Sequence, residues 1–99
     1  MVKLLMTWNI VPGQESEYFE FIVKEFAPGV QKMGIRMSEV WYTVYGEYPQ
    51  ILAGGLAQDI ETVREVLASS EWQQLEEQLM DYVTDFKHKV IRANGGFQI

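Results

Sequence analysis

Cysteine is absent from the 99 residues, so the chain forms no disulfide, holds no thiolate-bound metal and offers no cysteine nucleophile. Histidine occurs once, at position 88, which leaves no ligand set for a multi-histidine zinc or iron centre, and no metal or other cofactor is expected. No run of about 18 apolar residues exists, and the first residues lack a basic stretch followed by an apolar segment and a cleavage site. A cytoplasmic protein is the expectation. Bases are scarce too: eight against fourteen acidic residues, a formal charge of −6. Such a surface repels phosphate backbones and anionic membranes on average, so neither nucleic acid nor membrane is expected as a partner. A phosphate-cradling loop is also missing, because Gly54-Gly55 and Gly95-Gly96 are not followed by the helix such a loop requires.

What the chain does have is bulk. Hydrophobic residues make up 47% and charged ones 22%, the balance of an ordinary folded globule. Three Trp, five Tyr and five Phe supply a core, and the length fits one domain over residues 1–99. A domain this small buries a limited share of its surface, so association with a copy of itself is expected. Charge is unevenly spread. Residues 59–85 carry eight carboxylates against the single base Arg64, and Lys87, His88, Lys89 and Arg92 follow directly. That basic cluster reads either as an anion site or as a basic element lying near acidic helices and a helix C-terminus.

Periodicity places the elements. In residues 2–11, Val2, Leu4, Met6, Trp8 and Ile10 share one face and Lys3, Leu5, Thr7, Asn9 and Val11 the other, the pattern of a strand covered on its first face. Pro12-Gly13 ends it. Glu15 to about Phe26 predicts a helix with the stripe Tyr18, Phe21, Ile22 and Phe26, and a kink or break is expected at Pro28. Gly34 suits the left-handed position after a helix. Residues 36–45 are rich in strand formers, but both alternating faces are mixed, so either side could meet the helices. Gly46–Pro49 reads as a turn into a third strand at 50–57, where Gly54-Gly55 suggests a bulge or a close approach.

Asp59 is a suitable N-cap for a helix through Val63, Val66 and Leu67. An interruption is expected near Ser69-Ser70, and Ser70 with Gln73 has the capping-box spacing for a new helix. The stripe Trp72, Leu75, Leu79, Tyr82 and Phe86 extends that helix to about residue 86, and Lys89-Val90-Ile91 reads as the fourth strand. The order β-α-β-β-α-β predicts an α+β, ferredoxin-like fold: four antiparallel strands with two helical regions on one face. The other face would keep Leu5, Val11 and several aromatics in water unless two sheets pair. A homodimer in which two sheets form a β-barrel is the natural solution, since burial contributes roughly 25 cal/mol per Å² of apolar area.

Four segments spread over nearly the whole chain carry a resemblance: NIVPG running into Glu15-Ser16-Glu17-Tyr18-Phe19, KMGIR after the first helical region, LASSEWQQL at the helix interruption, and the terminal GGFQI. In these the chain resembles the dimeric α+β barrel superfamily, which includes antibiotic-biosynthesis monooxygenases, haem-degrading monooxygenases and NIPSNAP-like proteins. The resemblance implies an eight-stranded barrel from two subunits and a cavity in each subunit between sheet and helices, where substrates or haem bind. It also implies departures. Haem-degrading members place an Asn where this chain has Met6, and Asn9 has the opposite parity, pointing into the barrel. The helix interruption, Leu67 to Trp72, lacks the histidines those enzymes carry.

Candidate site residues follow. Met6, Trp8, Tyr42, Trp72 and His88 are the candidate ligand-binding residues, and Trp8, Trp41, Tyr42 and Trp72 either line a pocket for a flat organic ligand or fill the core. His88 is the one side chain whose ordinary pKa lies near neutrality, so any general base or axial ligand falls to it first; between Lys87 and Lys89 it equally reads as a surface residue. Glu39 reads as a buried acid, or as a carboxylate solvated or paired with Arg36 or Lys89. Three functions are compatible with these features. The first is a small-molecule-binding homodimer without turnover, and the second a cofactor-independent monooxygenase or isomerase acting on an aromatic or polyketide-like substrate through His88, Tyr42 and Trp72. The third is a structural dimerisation module whose cavity its own side chains fill.

Overall fold

The computed structural model describes residues 1–43 and 49–92. Strand β1 spans Val2–Ile10, and its alternation is obeyed: Leu4, Met6, Trp8 and Ile10 are buried while Lys3, Leu5, Thr7 and Asn9 are half-buried. Helix α1 (Glu15–Phe21) continues through a π-helical turn (Ile22–Phe26) into α2 (Ala27–Lys32). Tyr18, Phe21 and Phe26 of the expected stripe are buried. No break occurs at Pro28. The irregularity sits one turn earlier, where the Ala27 N–H reaches back to the Ile22 carbonyl. A wider turn there suits a proline, which lacks an N–H and whose ring crowds the carbonyl four residues back, that of Lys24. Gly34, at φ +106°, then turns the chain, as its position after the helix predicts.

Strands β2 (Arg36–Tyr42) and β3 (Ile51–Ala57) form the expected antiparallel pair; the expected turn residues Gly46, Glu47 and Tyr48 lie outside the described residues. A register shift between Met37 and Glu39 explains why neither parity of β2 reads cleanly. Across the shift Met37, Val40 and Tyr42 stand opposite Gly55, Ala53 and Ile51 on the helix side, and Arg36, Glu39 and Trp41 on the open side. The Ser38 hydroxyl donates to the Gly54 carbonyl at 3.0 Å, fixing the bulge.

Helix α3 (Ile60–Ala68) starts on Asp59, whose carboxylate accepts from the Thr62 N–H at 2.9 Å. Helix α4 (Ser70–Leu79) is capped by Ser69, one residue before the expected Ser70: the Ser69 hydroxyl accepts from the Trp72 N–H at 3.2 Å. Strand β4 runs Val83–Arg92, so the helix expected to reach residue 86 ends at Leu79. The physical reason is a bulge. Asp85 has φ +56°, and the strand shifts register between the partners of Thr7 and Asn9. The extra residue turns Phe86 inward onto Trp8, four residues after Tyr82, which packs on Phe21 from the turn after α4, and that spacing imitates one helical turn.

The sheet order is β2-β3-β1-β4, all antiparallel, and the helices cover the Met6/Trp8 face. This is the α+β, ferredoxin-like arrangement the element order predicts. A polar clasp closes one end of the sheet: the Ile10 N–H donates to Gln50 Oε1 (2.6 Å), the Gln50 N–H to Asn9 Oδ1 (2.9 Å), and Asn9 Nδ2 to Asp85 Oδ2 (3.1 Å). The glycine pair of β3 answers two close approaches. A Cβ on Gly55 would stand 2.5 Å from Cγ2 of the fully buried Ile35, whereas one on Gly54 would meet only the mobile end of Glu39, at 2.9 Å.

These contacts order two substitutions. Gly55→Ala, which overpacks a short branched side chain in the core, should lower unfolding free energy by about 1–3 kcal/mol in urea titration. Gly54→Ala displaces a half-exposed ion pair and should cost less than about 1 kcal/mol. Equal losses would show that the Ile35 contact is not what restricts β3.

Candidate functional site

The space between sheet and helices is occupied by rings. Trp8 stacks on Phe86 of β4 (centroids 6.0 Å apart, planes at 20°) and meets Phe26 of the π-helical turn edge-on at 6.0 Å. Trp72 of α4 lies against both Phe26 (6.0 Å) and Phe86 (6.5 Å). The Trp8 indole N–H donates to the Tyr18 hydroxyl at 2.9 Å, which satisfies its one donor inside the core. Burial pushes the Tyr18 phenol up to about 12, although the hydrogen bond from Trp8 acts in the opposite direction.

The structure brings four of the five candidate site residues together and leaves out the fifth. Met6, Trp8 and Trp72 are buried, and His88 stands opposite Met6 in the β1–β4 register, 5.9 Å from Phe86 between ring centroids. Phe86 is the residue the pattern missed. It touches Trp8, Trp72 and His88, and the bulge at Asp85 hid it inside an apparent helical stripe. Tyr42 lies on the outer strand β2, three strands from β4, a separation of roughly 14 Å at the usual strand spacing. Tyr42 and His88 are both exposed. His88 is therefore neither enclosed nor held by a carboxylate, and among the described residues no group of three His, Asp or Glu side chains converges on a metal position.

The open face of the sheet is different in kind. Lys3 is ion-paired with Glu39 across Gly54, and Trp41 Nε1 donates to the other Glu39 oxygen at 3.2 Å. The Lys3 hydrogen bond, then that of Trp41, holds the Glu39 carboxyl below its usual range, so it is an anion rather than a buried acid, and its partner is Lys3 rather than Arg36 or Lys89. Beside this pair Leu5, Thr7, Leu52, Lys87, His88 and Lys89 line a cavity of about 460 Å³. A second cleft, of about 490 Å³, lies between α1 and the end of α4; Glu17, Glu20 and Asp81 rim its aromatic floor of Phe21 and Tyr82.

The Tyr18 phenol gives a direct test of ring packing. An acid whose pKa rises on folding stabilises the fold below its unfolded value, near 10, and that contribution is lost as pH climbs through about 12. Rapid pH-jump absorbance should show one of the five tyrosines ionising late, and Tyr18→Phe should delete that step. A set of five that titrates together would mean the Trp8–Tyr18 region is open to water.

Comparison with known proteins finds no matching protein-family model and no matching curated protein sequence. Solved structures do match. An uncharacterized NIPSNAP domain protein from Burkholderia xenovorans superposes with a TM-score of 0.74 at 16% identity, over 100% of both chains. A protein from Deinococcus radiodurans, provisionally described as an antibiotic biosynthesis monooxygenase, gives 0.76 at 19% identity, over 100% of this chain and 98% of that one. A NIPSNAP family protein from Agrobacterium tumefaciens gives 0.67 at 16% identity, over 97% and 88%. Among the described residues no helix is long and apolar enough to cross a membrane. The chain thus has the α+β, ferredoxin-like fold of these NIPSNAP and antibiotic biosynthesis monooxygenase-like structures.

Proposed function

We propose that this chain is a single-domain cytoplasmic protein that pairs with a second copy through the open faces of the two sheets and binds a small apolar or aromatic molecule. One observation carries the reading: helices cover only one face of the sheet, and the other presents Leu5, Leu52 and Leu56 half-buried and Trp41 and Ile91 exposed. Apolar area on that face favours association at roughly 25 cal/mol per Å². A four-stranded sheet offers a surface of the right order for an interface of about 800 Å² per partner. Ligand capacity is supported by the cavity on that same face, whose volume lies within the usual range for small-molecule sites.

A cofactor-independent monooxygenase or isomerase is the second reading, supported by likeness to the Deinococcus protein. Within one chain, Tyr42 and His88 stand too far apart to act on one small substrate. Such chemistry would therefore rest on His88, beside Phe86 on the helix side of the sheet.

Native mass spectrometry of freshly purified protein, set against its denatured mass, should show a dimer, with non-covalent cargo where the natural ligand survives purification. Leu52→Glu, in the middle of the open face, should give a folded monomer with an unchanged circular dichroism spectrum. A wild-type monomer would overturn the pairing, as would a Leu52→Glu chain that remains dimeric.

A further inference from the structure

The chain's charge is sorted by layer. Helices, caps and turns carry eleven of the fourteen carboxylates and three of the eight bases, whereas the strands carry five bases and only Glu39 and Asp85 as acids. Within the strands the sorting goes further. Glu39 is paired with Lys3, and Asp85 accepts a hydrogen bond from Asn9. Lys87 and Lys89 have no carboxylate within ion-pair distance among the described residues.

Register makes these two lysines neighbours on one face. Lys87 stands opposite Thr7 and Lys89 opposite Leu5, with Leu52 on the far side of Thr7. Side chains directly opposite on antiparallel strands share a face about 5 Å apart, so two ammonium groups border a floor of two leucines and a threonine. The Thr7 hydroxyl makes no hydrogen bond to a described residue. The pair of cations, one open hydroxyl and an apolar floor enclose the cavity of about 460 Å³. In an otherwise acidic molecule, this is where an anion is drawn.

We infer that this cavity is a binding site for a small organic carboxylate with an apolar, flat or short-chain body, its carboxylate held by Lys87, Lys89 and Thr7 and its body lying on Leu5 and Leu52. The inference deepens the ligand-binding reading and rests on it. A bare inorganic anion would leave the leucine floor in water, and a neutral apolar molecule would leave both ammonium groups without a counter-charge. A carboxylate with an apolar body satisfies both. Covering the face with a second sheet strengthens the demand, because cations moved out of water need a partner. The His88 ring faces Phe86 on the other side of the sheet and takes no part in holding the carboxylate.

The test uses the full chain and 2-naphthoate as the probe, with 2-naphthol as its neutral counterpart and inorganic phosphate as the bare anion. Amide resonances of Thr7, Leu52, Lys87 and Lys89 should shift saturably with naphthoate. Binding should weaken at least about tenfold for naphthol and for the double variant Lys87→Gln/Lys89→Gln, and survive in Lys87→Arg/Lys89→Arg, as expected when charge-assisted hydrogen bonds are lost or kept. Four results would overturn the site: no saturable naphthoate binding at millimolar concentration, equal binding by the Gln variant, phosphate binding as tightly as naphthoate, or shifts confined to residues around Trp8. The last would still leave a small-molecule-binding protein. Sedimentation of the same samples separates the readings further: naphthoate bound to a monomer keeps this site and removes the dimer, and a dimer that ignores naphthoate does the reverse.

Discussion

The indole of Trp8 donates its hydrogen bond to α1, stacks on β4 and meets the π-helical turn edge-on, so one side chain from a central strand ties three elements together. Each of these contacts constrains the others. The stack on Phe86 requires β4 to present that ring inward, which the bulge at Asp85 arranges by adding a residue to the strand. The edge contact with Phe26 requires the helix to bring that ring over the sheet, and the π-helical turn shifts its phase to do so. Aromatic pairs of this kind contribute about 0.5–1.5 kcal/mol beyond their buried area, and only in a limited set of geometries. Two departures from regular geometry therefore serve one packing arrangement.

The same arrangement decides where a ligand has room. In the resembled superfamily, the space between sheet and helices holds substrate or haem. Here Trp8, Trp72, Phe26 and Phe86 stand in that space, and among the described residues no polar or charged one is buried. An interior of rings is well suited to holding a sheet in shape and poorly supplied with groups that orient a substrate. Polar side chains able to converge on a small molecule lie instead on the uncovered face: Thr7, Lys87 and Lys89 in one cavity, and the Lys3–Glu39–Trp41 group beside it. The proposed ligand site therefore lies on the side of the sheet where the proposed second copy would sit.

Most of the fold was legible in the sequence because regular elements advertise their period. β1 alternates cleanly, Asp59 caps α3, and Gly34 ends α2 with positive φ. The two strands whose faces or limits the pattern misplaces share one cause. A β-bulge changes parity within a strand, so β2 showed no apolar face and the start of β4 imitated a helix. The candidate site is less legible, because its three-dimensional neighbours come from β1, β4 and α4 through Phe86, whose spacing from Tyr82 is helical. Tyr42 is a candidate by aromatic character alone, and nothing in local pattern shows that β2 ends up at the opposite edge from β4. Glu39 found Lys3 across β3 only because Gly54 leaves the way clear, a relation that no spacing along the chain contains.

Charge sorting links these features to assembly. Placing the carboxylates on the helical layer keeps them in water and away from one another's interior, where a net charge of −6 costs least. It also makes the helical surface self-repelling, which favours the proposed pairing through the faces that lack this charge. Lysines on the edge strand β4 blunt unwanted strand pairing, a common use of charge at sheet edges. The same lysines cannot be covered without a counter-ion. In the proposed dimer, an acidic outer layer and an edge of cations without ion-pair partners among the described residues would act in concert: the first would direct association to the open face, and the second would set what must be present there when that face is closed.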